Sequence, residues 1–366
     1  MTSIPAERIA VIGTGLIGTS IAMASARVGC RVSGWDLDAQ VAAHAAERTD
    51  IRITPTFEEA VRDADVVVVC APIPVTSELV ARALQATPTA VVTDVGSIKE
   101  HLVREVGEAA GAWAAKRYIG GHPMGGSERS GPEHASPSVV DGIVWVLTPE
   151  EGVDAGSIAM LEVWIEGIGG RPVRMSPARH DRLVAFVSHL PQVASTALMA
   201  LAATEEADEP EILLLAAGGF RDLTRLASSN AALWSQILLA NREAIAEAID
   251  LFSARLLELR TMILQGRADA VEGTFDHAKQ ARLRLTAKPQ VRAGVAVLQI
   301  PIPDRPGALA ELTSALGEGQ VNIEDLQIVH SPEGGRGIVH LTVAAPSADD
   351  ALRVLASRYF DPVRLA

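Results

Sequence analysis

The chain is poor in cysteine, in aromatic residues and in positive charge. Its 366 residues hold two cysteines, Cys30 and Cys70, both in or beside apolar segments, where a thiol behaves as a small buried hydrophobe. A disulfide-rich scaffold is thereby excluded, and no cysteine or histidine spacing suits zinc, so no metal is expected. Lysine and arginine total 32 against 45 aspartates and glutamates, a net charge of −13. The concentrated basic surface that phosphate backbones require is missing, and a nucleic-acid partner is not expected. No uninterrupted apolar run reaches the roughly 18 residues of a membrane span, and no basic segment followed by an apolar one opens the chain. These absences predict a cytoplasmic protein with no membrane partner.

What the chain has in quantity is apolar sequence, 48% of residues against 21% charged, enough at this length for two or three domains with cores of their own. From Arg8 it reads RIAVIGTGLIGTSIAMASARVGCRVSGWDLD. Ile9 to Ile12 has the pattern of a buried strand, Ile17 to Val28 of a helix, and Arg31 to Trp35 of a second strand. Between the first two lie Gly13, Gly15 and Gly18, a G-x-G-x-x-G. Gly13 permits a tight turn, Gly15 lets the backbone approach a pyrophosphate, and Gly18 allows close helix–strand packing. The amides that open the helix, with its dipole, receive the anion, so Thr14, Leu16 and Ile17 join the glycines as candidate cofactor-binding residues. Asp36 follows the second strand, placed to accept hydrogen bonds from an adenosine ribose and to repel a 2′-phosphate. This predicts NAD rather than NADP.

The alternation continues through a strand at Ala64 to Ala71, a helix near Thr76 to Gln85 and a strand at Ala90 to Asp94. Near-continuous valine runs between helices predict an α/β domain over 1–176, a Rossmann-type parallel sheet covered on both faces and closing with a strand at Arg171 to Met175. Ala71 and Pro72 fall at a strand end, on the carboxyl edge where ligands of such sheets bind. His180 to Thr204 and Asn230 to Leu264 are long, rich in alanine and leucine, and apolar on more than one face. They predict an all-helical substrate and dimerisation domain over 177–288. Lys288-Pro289 reads as a linker. Residues 294–366 then follow a βαββαβ order, a compact α+β module of the ferredoxin-like type. Pro306 and Gly307 stand at the mouth of its first helix, where exposed amides would suit a ligand carboxylate and a purely structural turn would serve equally.

Four further stretches carry chemistry: DVGSIKE (94–100), GGHPMGGSE (120–128), SHLPQ (188–192) and GGFRDLTRLASSNAALW (218–234). In this order, behind the glycine fingerprint, they resemble the prephenate dehydrogenase family of tyrosine biosynthesis, which includes arogenate dehydrogenases. DRPGALA and NIEDLQI in the last module resemble an ACT domain. The resemblance implies an oxidoreductase that takes hydride from a cyclohexadienol to NAD while the ring carboxylate leaves as CO₂. It further implies that His122 is the catalytic histidine, with Ser97 hydrogen-bonding and orienting it, and that Arg225 grips a substrate carboxylate. Ser127, His189, Asp222 and Trp234 match substrate-binding or supporting positions; on chemistry alone His189 could cap a helix and Trp234 could be core or interface.

Gln192 stands where many relatives carry a histidine. Prephenate is the expected substrate, with arogenate the alternative, and the expected assembly is a homodimer. From the ACT resemblance, Asp304, Pro306, Gly307, Ala308, Asn322 and Ile323 are expected to bind an amino-acid effector, tyrosine as the end product. Other dehydrogenases with such a module fit less well. The fingerprint comes too early for one that resembles phosphoglycerate dehydrogenase. Between Gly96 and Asn241 only Lys99 and Lys116 could supply the lysines that homoserine dehydrogenases use. A non-catalytic NAD and amino-acid sensor could dispense with Ser97, His122 and Arg225, yet all three are present.

Overall fold

Short runs, β-branched in β4 and β5 and too brief for helices, form the strands of the larger sheet: β1 Arg8–Ile12, β2 Arg31–Trp35, β3 Arg52–Ile53, β4 Val66–Val69, β5 Val91–Asp94, β6 Tyr118–Pro123, β7 Val144–Thr148 and β8 Arg171–Arg174. The structure, a computed structural model, describes residues 6–125, 131–286, 294–303, 305–330 and 336–365. The strands lie in the order β3-β2-β1-β4-β5-β6-β7-β8. Within β4, Val66 and Val68 pack into one core while Val67 and Val69 pack into the other. That is the period-2 alternation of a strand buried on both faces. The expected parallel sheet holds from β3 to β6. There it departs, because β7 runs antiparallel to β6, with His122 opposite Val146. Antiparallel neighbours need no crossover helix, and between β6 and β7 the described residues form only two short 3₁₀ turns.

Packing divides the chain into two compact units, one of Met1–Leu201 with Thr224–Leu251, the other of Ala202–Leu223 with Phe252–Ala366. The helical stretch read from the sequence as one domain over 177–288 is therefore shared between them. In the first unit the helix Pro177–Val184 continues through a π-helical turn, Ala185–His189, into the helix Leu190–Glu205. Such turns wedge one extra residue into a helix and often mark functional positions. This 29-residue run is long and apolar enough to cross a bilayer. It also buries His180, Asp181, His189 and Gln192, each hydrogen-bonded within the protein. The helix expected over Asn230 to Leu264 breaks at Asn241, between Ala231–Ala240 and Arg242–Leu264.

The second unit holds β9 Val295–Pro303, β10 Asp325–His330, β11 Arg336–Ala344 and β12 Val363–Arg364, antiparallel in the order β10-β11-β9-β12. The helices Ala308–Glu318 and Ala348–Ser357 pack Leu312, Leu316 and Leu355 onto Leu298, Ile300 and Leu341. This is the expected ferredoxin-like module. Lys288-Pro289 and Asp304 lie outside the described residues.

Candidate active site

The glycine loop follows β1 and opens the helix Leu16–Arg27. Gly13 has φ +93, and a Cβ there would run into the carbonyl oxygen of Cys70; a Cβ on Gly18 would strike the Gly13 carbonyl. Both glycines are demanded by the protein's own packing. Gly15 is different: a Cβ there meets no protein atom within 4 Å. It sits at the helix N-cap with no side-chain cap, leaving the first-turn N–H groups for an anion. Leu16 is buried and Ile17 packs against the core, so both offer backbone amides, not side chains.

Asp36 accepts hydrogen bonds from the Thr14 N–H at 2.6 Å, the Thr14 hydroxyl at 3.2 Å and the Asp38 N–H at 2.9 Å, which fixes its carboxylate beside the loop. Ala71 and Pro72 follow β4, where the Thr76 hydroxyl donates to their carbonyls at 3.1 and 2.9 Å. These elements fit a dinucleotide: a bare glycine edge, uncapped amides and a held carboxylate.

One strand further along the same carboxyl edge, a knot of buried groups sets the position of β6. Lys99 is fully buried; its ammonium pairs with Asp94 and donates to the Gly121 carbonyl at 2.8 Å. Asp94 also accepts from the Tyr118 hydroxyl at 2.9 Å, the Gly121 N–H at 3.0 Å and the Gly96 N–H at 2.7 Å. Burial pulls the Lys99 pKa down, and Asp94 offsets only part of that shift. With Asp94 accepting four hydrogen bonds and Lys99 donating two, the pair locks the 95–99 turn to β6.

His122 projects from β6 with Nδ1 2.8 Å from Nε2 of His180. Nδ1 of His180 lies 2.7 Å from Oδ1 of Asp181. The Asp181 carboxylate accepts the backbone N–H groups of Lys99 and Glu100, both at 2.8 Å, and so caps the helix Glu100–Ala110, whose own N-cap residue offers no side-chain cap. Burial, then the positive charge available at His180, Lys99 and His189, holds His122 well below the usual 6.5. Its ring is neutral at pH 7 and suited to accept a proton. His189 is buried edge-on to Trp234, centroids 6.0 Å apart, with Nδ1 3.2 Å from the Asn241 amide nitrogen. Burial pulls it down to about 4. The same Asn241 amide donates to the Asp181 carbonyl at 2.9 Å, at the junction between helices Ala231–Ala240 and Arg242–Leu264.

Gln192 is buried and uses both ends of its amide on the protein, donating to the Leu226 carbonyl at 2.8 Å and accepting from the Ser229 hydroxyl at 3.3 Å. It therefore shapes the turn Arg225–Ser228, which begins at the exposed Arg225. The structure thus brings His122, His189, Gln192 and Trp234 into the first unit with the Arg225 turn. Ser97 is partly buried on the 95–99 turn, and His122 hydrogen-bonds to His180. Asp222 is exposed on the helix Gly218–Thr224, and Ser127 lies outside the described residues. Sequence patterns alone pointed to none of His180, Asp181 or Asn241. The available signal was a His-Asp pair in the first turns of an otherwise apolar helix behind a Ser-Pro cap.

In the second unit a cavity of about 270 Å³ is lined by Ile302, Pro306, Gly307, Ala308, Leu309 and Ile328, among others. Asn322 and Ile323 do not line it: Asn322 donates to Glu324 at 2.6 Å and Ile323 packs on the core. Among the described residues no group of three or more His, Cys, Asp or Glu side chains is placed to hold a metal.

Residues 21–174 match the family model described as prephenate dehydrogenase, nucleotide-binding domain, residues 176–277 that of the prephenate dehydrogenase dimerization domain, and residues 296–358 the ACT domain. Prephenate dehydrogenase of Bacillus subtilis is 30% identical over 359 residues, 95% of this chain and 94% of that protein. Among solved structures, prephenate dehydrogenase from A. aeolicus in complex with hydroxyphenyl propionate and NAD+ is 28% identical with a TM-score of 0.72, covering 78% of this chain and 100% of that one. Synechocystis arogenate dehydrogenase is 28% identical with a TM-score of 0.68, covering 76% and 99%.

Proposed function

Because the chain belongs to the prephenate dehydrogenase family, we propose that it catalyses the NAD-dependent oxidative decarboxylation of prephenate to 4-hydroxyphenylpyruvate. The observation that carries the reading is the alignment of four loops on one sheet edge. Gly13 to Gly18 follow β1, Ala71 and Pro72 follow β4, Ser97 follows β5, and His122 ends β6, in strands adjacent in the order β1-β4-β5-β6. Nucleotide and base are thereby held side by side, as hydride transfer requires.

NAD, when bound, supplies the hydride acceptor. The glycine loop and the amides of helix Leu16–Arg27 bind its pyrophosphate, and Asp36 takes the ribose hydroxyls. His122 accepts the carbinol proton as the carbon loses hydride, Ser97 orients the reacting groups, and Arg225 holds a substrate carboxylate in bidentate fashion. Ser127, His189 and Trp234 complete the substrate site. The assembly is a cytoplasmic homodimer, supported by the dimerization-domain match and by exposed apolar side chains on one helix, among them Leu251, Phe252, Leu256, Leu257 and Leu264. The cavity beside Pro306 to Ala308 takes an amino-acid effector, tyrosine by pathway logic, with its carboxylate at the amides opening helix Ala308–Glu318.

Gln192 favours arogenate as the second reading, since a neutral amide in place of histidine sets no positive charge against the ammonium of arogenate's side chain. Initial rates with purified protein, prephenate and arogenate each tested with NAD and NADP, decide between them. Prephenate with NAD is expected to give the highest kcat/KM. His122→Asn should keep NADH affinity within a few-fold and lose most turnover; a variant that keeps wild-type turnover removes His122 from the chemistry.

A further inference from the structure

We infer that His180 is a positioning residue for the reaction: it fixes the tautomer of His122 and serves as the reservoir for the proton that His122 takes. The inference rests on the proposed reading of His122 as the base, and it begins from hydrogen-bond logic. A carboxylate only accepts, and Asp181 already accepts two backbone N–H groups, so the bond between Nδ1 of His180 and Asp181 has its proton on His180. A neutral His180 then presents an unprotonated Nε2. Its contact with Nδ1 of His122 needs a proton from the other ring, which places that proton on Nδ1 of His122 and leaves Nε2 of His122 bare. Bare Nε2 is the atom that can take a hydroxyl proton. Without His180 and Asp181 the ring has no such constraint, and the Nε2–H tautomer cannot accept.

The same contacts say where the charge goes. The reaction releases no net proton: the one withdrawn from the carbinol oxygen as hydride moves to NAD is returned to that oxygen once CO₂ has left and the ring is a phenol. The enzyme needs a store, not an exit. As Nε2 of His122 gains the proton, Nδ1 of His122 passes its own to Nε2 of His180. This makes an imidazolium paired with the Asp181 carboxylate; both steps reverse when the phenolate is protonated. His180 and Asp181 are 1% and 3% exposed, sealed from water as a store should be. At His122 the cation would face Lys99 and His189, whereas at His180 it faces a carboxylate.

The first test is independent of turnover. In ¹⁵N-histidine NMR of the purified protein at neutral pH, with His122 and His180 assigned through His122→Asn and His180→Gln, both rings should appear neutral with the proton on Nδ1. A His122 ring protonated on Nε2 overturns the inference. The second test compares His180→Gln, whose amide oxygen can accept from His122 but cannot take its proton, with His180→Leu, which does neither. Folding of each is checked by circular dichroism and NADH affinity. Positioned general-base catalysis contributes about 10²–10⁴-fold. We therefore expect kcat to fall by about 10³-fold or more in His180→Leu and less in His180→Gln, with KM within a few-fold in both and the His122 Nδ1–H signal kept only in His180→Gln. Wild-type kcat in His180→Gln removes the reservoir, and wild-type kcat in a folded His180→Leu removes the whole inference. If His180→Leu does not fold, the NMR and His180→Gln results carry the decision. A wild-type protein with the predicted tautomer but no turnover of prephenate or arogenate would leave the positioning intact and refute the proposed function.

Discussion

A single methyl group should separate the three glycines of the cofactor loop. At Gly13 the backbone is at φ +93 and the new Cβ meets the Cys70 carbonyl. A left-handed conformation costs a non-glycine residue about 1–2 kcal/mol, and overpacking against a fixed neighbour adds about 1–3 kcal/mol. Gly13→Ala should thus lose a large part of the about 5–15 kcal/mol that holds a domain together. Gly15 has φ −69 and ψ −161, open to alanine, with no protein atom in the way. Alanine is a poorer N-cap by about 1 kcal/mol, and the stiffer unfolded chain returns about 0.4–1 kcal/mol, so Gly15→Ala should melt close to the wild type.

Its cost should appear in the nucleotide instead. If the methyl holds the pyrophosphate off one amide, the loss is that of a charged hydrogen bond, about 1.5–3 kcal/mol, or roughly 10–150-fold in Kd. Thermal melts of Gly13→Ala and Gly15→Ala, with NADH titrations followed by fluorescence, measure both quantities. Wild-type NADH affinity in Gly15→Ala would refute the reasoning, as would a loss of stability equal to that of Gly13→Ala.

Protonation gives a second prediction. His189 is held at about 4 against about 6.5 unfolded, so its stabilising contribution is complete above pH 6.5 and is lost as pH falls towards 4, on the order of 2 kcal/mol by pH 5. Urea unfolding of wild type and His189→Asn from pH 7.5 to 5 should show the gap between them shrinking by that amount; a constant gap counts against it. Lys99→Met leaves the Asp94 carboxylate buried without its cation and should cost about 3–5 kcal/mol, read as a lowered urea midpoint and partly recovered by adding Asp94→Asn. A change under about 1 kcal/mol would contradict the pairing argument. Asp36→Ala should erode the preference for NAD over NADP, and an unchanged ratio of the two kcat/KM values would remove the ribose role.

Local pattern carried much of the fold. The valine runs and the fingerprint placed β1, β2, β4 and β5 within a residue or two, because burial on both faces writes itself into consecutive residues. What pattern missed is non-local. Asp181 reaches Lys99 across 82 positions and His122 reaches His180 across 58, and no periodicity records such a meeting. The reversal at β7 and the break at Asn241 also sit at non-local contacts, the pairing of β7 with β6 and the reach of Asn241 to Asp181 and His189. Gln192 was visible as a departure from the family pattern, but its grip on the Arg225 turn was not. The roles of Ser127 and Asp304 rest on motif position alone.

Asp181 closes the helix that begins at Glu100 and anchors the ring that steers His122. One carboxylate thus serves both architecture and chemistry, and the two cannot drift apart. A substitution that loosens the seat of helix Pro177–Val184 on the sheet would slacken the proton inventory of the site before any reacting atom is touched. Variants found by selecting for solubility or heat resistance at this junction should therefore carry altered turnover as a matter of wiring, and compensating changes should cluster on the 95–100 turn and at Asn241, not around the substrate.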